Sequence, residues 1–149
     1  MPLSTYQELR NFTLTPEPEG EIEHTGQRRF VVQEHHARRL HYDFRLEVDG
    51  VLRSWAVPKG PPLGPGERRL AVAVEDHPLE YIDFEGTIPE GQYGAGTVRI
   101  WDRGTYDLEK AEPNELKFVL RGQKLHGPYV LIRLENRPRY WLLLKRKYA

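Results

Sequence analysis

The 149-residue chain has no cysteine, which excludes disulfides and every thiolate metal site. Any metal must rest on histidine, aspartate, glutamate or backbone oxygen. No apolar run is long enough to cross a bilayer as a helix, and the opening MPLSTYQELRNF lacks the apolar core of a secretory signal. The expectation is a cytoplasmic protein with no membrane partner. Formal net charge is zero, with 22 Lys+Arg against 22 Asp+Glu. That argues against binding nucleic acid by bulk charge alone, a mode that neutralises many phosphates. The charges are nevertheless sorted. Glu17 to Glu23 is acidic, Arg28 to Arg69 mostly basic, Glu75 to Glu90 acidic, and the tail from Arg137 basic, so a local basic groove is compatible with the zero total.

No repeat or low-complexity tract interrupts the sequence, and its length suits one domain with one core. Residues 1–29 carry few periodic apolar positions and read as a helical turn near Tyr6–Phe12 followed by an extended arm. From Phe30 the chain reads as strand after strand. Leu40–Val48 alternates strictly and ends at Asp49-Gly50, a two-residue hairpin signal. Val51–Val57 returns, and Pro58–Gly66 is a loop. Leu70–Glu75 alternates again, Tyr81–Phe84 is expected to pair briefly, and Gly86–Gly96 follows, with Gly91, Gly94 and Gly96. Thr97–Trp101 is expected to turn at Asp102-Arg103-Gly104 into Thr105–Leu108. Glu115–Leu120, Tyr129–Leu134 and Tyr140–Leu144 complete the set. Short alternating strands at this spacing predict an all-β domain, a closed or nearly closed barrel of about eight strands over 30–147 with residues 1–29 as an N-terminal arm.

The segment His41-Tyr42-Asp43-Phe44-Arg45 carries the chemistry. Period-two alternation puts His41, Asp43 and Arg45 on one face, about 7 Å between neighbours. Imidazole and carboxylate are metal ligands, and the guanidinium fork grips phosphate. If His35, on the connection entering this strand, folds back beside it, two imidazoles and a carboxylate meet with coordination positions left open, as a catalytic site requires. The alternative is a hydrogen-bonded His41–Asp43 pair on a barrel wall. His77, before Pro78, is placed to point into a barrel mouth, where it hydrogen-bonds a phosphate or protonates a leaving group. Tyr81 could share that pocket. Gly91-Gln92-Tyr93-Gly94-Ala95-Gly96 fits neither the dinucleotide fingerprint nor the P-loop, and reads as a tight turn or close packing. His24 and His126 read as structural or surface residues.

Five blocks recur together: Phe30–His35, Arg39–Glu47, Ser54–Pro61, Val74–Pro78 and Phe84–Gly94. In this order they closely resemble the 3′-phosphoesterase domain of bacterial DNA ligase D, the nonhomologous end-joining ligase, and its stand-alone relatives. The resemblance implies a Mn²⁺-dependent enzyme, with metals such as Co²⁺ as substitutes. It implies action on DNA or primer–template 3′ ends, including ribonucleotide-terminated ones, beside an end-joining polymerase, a ligase and Ku. In that family a terminal ribonucleoside is released by phosphodiesterase action, and the remaining 3′-phosphate is hydrolysed to 3′-OH. By position, His35, His41 and Asp43 are implied metal ligands, and Arg45, His77 and Arg10 phosphate contacts. Gln33, Lys59, Arg69, Glu75 and Tyr81 are implied supporting residues. The adjacent His36 leaves two registers for the first ligand, and Asn11 stands where an acidic residue is common. A monomer associated with the nucleoid is expected.

Two other classes compete. A 2-His-1-carboxylate iron oxygenase would use His41, Asp43 and a distant histidine such as His126, with Arg133 holding a co-substrate carboxylate. It leaves His35, Arg45 and His77 without roles. A non-catalytic β-barrel binding nucleic-acid ends would keep its function without Asp43.

Overall fold

The computed structural model describes residues 1–147. Among these, nine strands form: β1 (Arg29–His36), β2 (Leu40–Val48), β3 (Val51–Val57), β4 (Arg68–His77), β5 (Gly86–Ile88), β6 (Gly96–Glu112), β7 (Glu115–Arg121), β8 (His126–Arg133) and β9 (Tyr140–Lys145). One helix, α1 (Leu3–Glu8), and one 3₁₀ turn, Leu79–Asp83, accompany them. The strand order is β1-β2-β3-β4-β9-β8-β7-β6, and β6 pairs back onto β1. Eight antiparallel strands therefore close a barrel, while β5 is an extra strand held against the start of β6. The Asp49-Gly50 hairpin forms as expected, with both residues at positive φ (51° and 83°) and Val48 opposite Val51.

Alternation sorts the two faces of the wall made by β1 to β4. Phe30, Val32, Phe44, Leu46, Trp55, Val57 and Ala71 point into the barrel with Tyr106, Phe118, Tyr129 and Trp141. The opposite face carries Gln33, His35, Asp43, Arg45, Ser54, Glu75 and His77, and all seven are buried. They are covered by a second apolar cluster in which Leu3 and Tyr6 of α1 meet Leu52, Leu79, Tyr81, Ile82, Phe84 and Ile88. Each large side chain buried there contributes about 1.5–3 kcal/mol, and the Tyr6 hydroxyl also donates to the Pro18 carbonyl. The arm is thus a lid over the polar outer wall, packed in place without a disulfide.

Several local expectations are corrected. His35 and His36 lie inside β1, not on a connection. Tyr81–Phe84 does not pair, because Pro78 starts a 3₁₀ turn in which the Tyr81 and Phe84 N–H groups donate to Pro78 and Tyr81 carbonyls at 3.0 Å. Asp102-Arg103-Gly104 is not a turn but part of the 17-residue β6. Between Val32 and Gln33 the partner register skips Trp101, a bulge that turns the strand. The Asp102 carboxylate accepts the N–H groups of Gln123, Lys124 and Leu125 at 2.8–3.1 Å. A side chain at Gly104 would run into the Arg121 carbonyl. A capping carboxylate and a close-approach glycine imitate a turn signal. The helix is α1, ending before the expected Tyr6–Phe12 turn would.

Candidate metal centre

The β1–β2 ladder sets His35 opposite His41 and Gln33 opposite Asp43. His35, His41 and Asp43 each offer a ligand atom, all within 4.8 Å of one another. His35 Nδ1 is 3.5 Å and His41 Nε2 3.4 Å from the same oxygen, Asp43 Oδ2. The other ring nitrogens are committed. His35 Nε2 lies 2.7 Å from the Gly94 carbonyl and His41 Nδ1 3.1 Å from the Arg39 carbonyl. Carbonyls only accept, so those nitrogens carry the hydrogens. Two lone pairs and a carboxylate then face one another, an arrangement that calls for a cation or a proton between them. Fixing the distal N–H on a carbonyl is also what metal-bound histidines require. The donor set therefore fits a divalent cation. It excludes His36, whose half-exposed ring turns to Glu34 at 2.7 Å.

Charge follows from this packing. Burial opposes the Asp43 anion, yet the Arg45 guanidinium and the two imidazoles hold its carboxyl well below the usual range. Burial likewise opposes a charge on His41, but the bond and charge of Asp43 prevail and raise its pKa. Arg45 Nη2 is 3.4 Å from Asp43 Oδ2, and its Nε donates to Gln33 Oε1 at 2.6 Å. Gln33 in turn donates to the Tyr81 and Phe84 carbonyls at 2.8 and 3.1 Å. The Arg45 fork is thereby aimed, and its buried Nη1 has no partner among the described residues.

Arg10, just past α1, arrives from the lid. Its Nε donates to Glu17 Oε2 at 3.0 Å, its Nη1 lies 3.3 Å from Glu75 Oε1, and its Nη2 is 3.5 Å from His77 Nε2. His77 Nδ1 donates to the Glu75 carbonyl at 2.9 Å, and its ring packs 4.6 Å from both Tyr6 and Tyr81. Burial, then Arg45 and Arg10, push its pKa well below the ordinary value, so His77 is neutral. The Tyr81 hydroxyl donates to Glu17 at 2.8 Å.

These groups line one cavity of about 280 Å³. It opens on the outer wall of the barrel, not in its mouth as expected for His77. Of the expected residues, His35, His41, Asp43, Arg45, His77, Arg10, Glu75 and Tyr81 line it, and Gln33 stands directly behind Arg45. Lys59 and Arg69 instead line a separate hollow with Tyr42 and Trp101. His126 and Arg133 are not at the cavity. Sequence reasoning missed Glu17, which is buried and accepts from Arg10, Tyr81 and, through Oε1, Thr15 at 2.9 Å. In the sequence it is one of four alternate glutamates in an acidic stretch, with no local mark to separate it from Glu19. The Gly94 carbonyl was also missed, since a backbone acceptor leaves no side-chain signal.

The sequence matches the family model of the DNA ligase D 3′-phosphoesterase domain over residues 33–133. The chain is 53% identical to the multifunctional non-homologous end joining protein LigD of Pseudomonas aeruginosa, over 98% of this chain and 19% of the relative. It is 49% identical to the LigD protein of Mycolicibacterium smegmatis over 97% of this chain and 20% of that one. The multifunctional non-homologous end joining DNA repair protein LigD of Mycobacterium tuberculosis is 53% identical over 88% of this chain and 18% of its own length. The chain spans about a fifth of these curated relatives.

Proposed function

This chain belongs to the DNA ligase D 3′-phosphoesterase domain family, and we propose that it is a metal-dependent phosphoesterase that heals DNA 3′ ends. It releases a 3′-terminal ribonucleoside and then removes the 3′-phosphate, leaving a 3′-OH for repair synthesis and ligation. The observation that carries this reading is the convergence, in one cavity, of three facing ligand atoms with the unpartnered Arg45 Nη1.

Nitrogen and oxygen donors without sulfur suit Mn²⁺, with Co²⁺ as a substitute. The chemistry a divalent cation supplies at these ligands is charge neutralisation on a phosphoryl oxygen and acidification of a water nucleophile. His35, His41 and Asp43 hold it. Arg45, steered by Gln33, donates to a phosphoryl oxygen as charge develops there. Arg10 brings a second guanidinium from the lid, held by Glu17 and Glu75. Formally, three carboxylates (Asp43, Glu17, Glu75) and two guanidiniums leave the cavity one charge negative. A divalent ion makes it one charge positive, so anion binding and metal binding are coupled. His77, with its Nδ1–H on the Glu75 carbonyl and its Nε2 3.5 Å from Arg10, stands with that guanidinium where the phosphate would lie.

The setting is repair of broken ends in the cytoplasm, at the nucleoid, as a monomer, with an end-joining polymerase, a ligase and Ku as partners. A time course on a primer–template ending in one ribonucleotide, with Mn²⁺, tests the order of steps. A 3′-phosphate product should precede the 3′-OH product, and an all-DNA 3′-OH end should resist trimming. Degradation of both primers at one rate would make the protein a general exonuclease.

A further inference from the structure

Tyr93 stands on the rim that the metal cavity shares with a second hollow. That hollow, about 710 Å³, is lined by His36, Ala37, Arg38 and the loop from Glu90 to Gly96, and it meets the cavity at Ala37, Tyr93 and Gly94. At 48% exposure, Tyr93 is the one exposed Phe, Tyr or Trp among the described residues. Single exposed apolar residues are ordinary, so exposure alone decides nothing. Position and rigidity do.

The loop is fixed from both ends. The Gln92 and Ala95 N–H groups donate to Pro89 and Gln92 carbonyls at 3.1 Å. The Gly94 carbonyl receives the His35 N–H at 2.7 Å. Gly94 and Gly96 sit at φ 76° and 137°, and a side chain at Gly96 would run into the His36 carbonyl. The ring therefore rides on backbone bonded to the metal-site histidine, with the Arg10 guanidinium carbon 5.2 Å from its centroid. A flat face held this way loses little freedom when a flat partner arrives.

We propose that this hollow is a nucleobase subsite, in which Tyr93 stacks on the base of the 3′-terminal nucleotide while its phosphate lies at His35, His41, Asp43 and Arg45. The proposal rests on the phosphoesterase reading. A phosphate ester held in the cavity must send its sugar and base out through an open side. The lid residues Arg10 and Glu17 and the 3₁₀-turn residue Tyr81 wall one side, while the Tyr93 rim opens into the hollow. Stacking accepts any base, because every base has a π-face. Exposed Arg38 supplies a cation for a neighbouring backbone phosphate. The protein then senses whether the end bears a base, but not which one.

The test uses the full chain with Mn²⁺ and two primer–templates, one with an ordinary 3′-terminal nucleotide and one ending in a base-less sugar. Each carries either a 3′-phosphate, for kcat/KM, or a non-hydrolysable 3′-methylenephosphonate, for Kd by fluorescence anisotropy. The wild type should favour the base-bearing end by about tenfold in both measures. Tyr93→Ala should bring both ratios close to parity, chiefly through KM, and Tyr93→Phe should keep most of the preference. Equal treatment of the two ends by the wild type, or an unchanged ratio in Tyr93→Ala, overturns the subsite. Absence of any phosphate release overturns the phosphoesterase reading instead, while the Kd ratios still decide whether the subsite exists.

Discussion

His35 and His41 are cross-strand partners, and their ring centroids lie 4.8 Å apart. Each gives its N–H to a backbone carbonyl and turns a bare nitrogen to Asp43. Replacing His35 by alanine should weaken Mn²⁺ binding about 100-fold or more, beyond the loss expected from an outer partner. His36→Ala should stay within about twofold. Isothermal titration with Mn²⁺ distinguishes them, and the reverse ranking would move the ligand to His36.

Asp43 serves both the cation and Arg45. Asp43→Asn keeps the volume and should lose Mn²⁺ binding and nearly all activity with a modest loss of stability. Asp43→Ala should lose about 1–3 kcal/mol in addition, because both variants remove the anion but only alanine also removes the oxygen that accepts from buried Arg45. Urea unfolding of the two variants makes the comparison. Equal stability would mean that Gln33 and the Tyr81 ring suffice to hold the guanidinium.

Glu17 reaches Arg10 and Tyr81 but none of the metal ligands. Glu17→Gln should therefore raise KM for a 3′-phosphate end several-fold, about the effect of one weakened charged hydrogen bond, while the Mn²⁺ affinity holds. A parallel fall in Mn²⁺ affinity would place Glu17 in the metal site.

Folding keeps His77 neutral, with its pKa depressed by burial and two arginines. The unfolded chain takes up a proton near pH 6.5. The unfolded state therefore binds more protons below that pH, so stability is full above about 6.5 and is lost progressively as the pH falls from there toward the depressed folded value. The wild type should lose Tm between pH 7 and pH 5 more steeply than His77→Gln. His41, shifted the opposite way, contributes to both proteins and cancels in the comparison. Parallel profiles would contradict a neutral, buried His77.

The barrel was legible because its walls alternate. The polar residues at 41, 43 and 45 leave Phe44 and Leu46 facing inward, and that one pattern fixes both core and site. What alternation does not encode is whether a polar face meets water. Asp43, Arg45 and Glu75 read like a solvated wall until Tyr6 and Leu3 return over them from about forty to seventy residues away in sequence. Nor does local sequence separate a turn from a bulged strand, and Asp102-Arg103-Gly104 misled for that reason. His35 found its place through register: only the pairing of β1 with β2 sets it, rather than His36, across from His41.

Metal-stripped protein given a primer–template with a 3′-phosphate tests the central claim most directly, by inorganic phosphate released with and without added Mn²⁺. The account predicts no release without metal, rapid release with Mn²⁺, none with EDTA, and none from Asp43→Asn under any of these conditions. Full release by the metal-free protein, or wild-type turnover by Asp43→Asn, would contradict it.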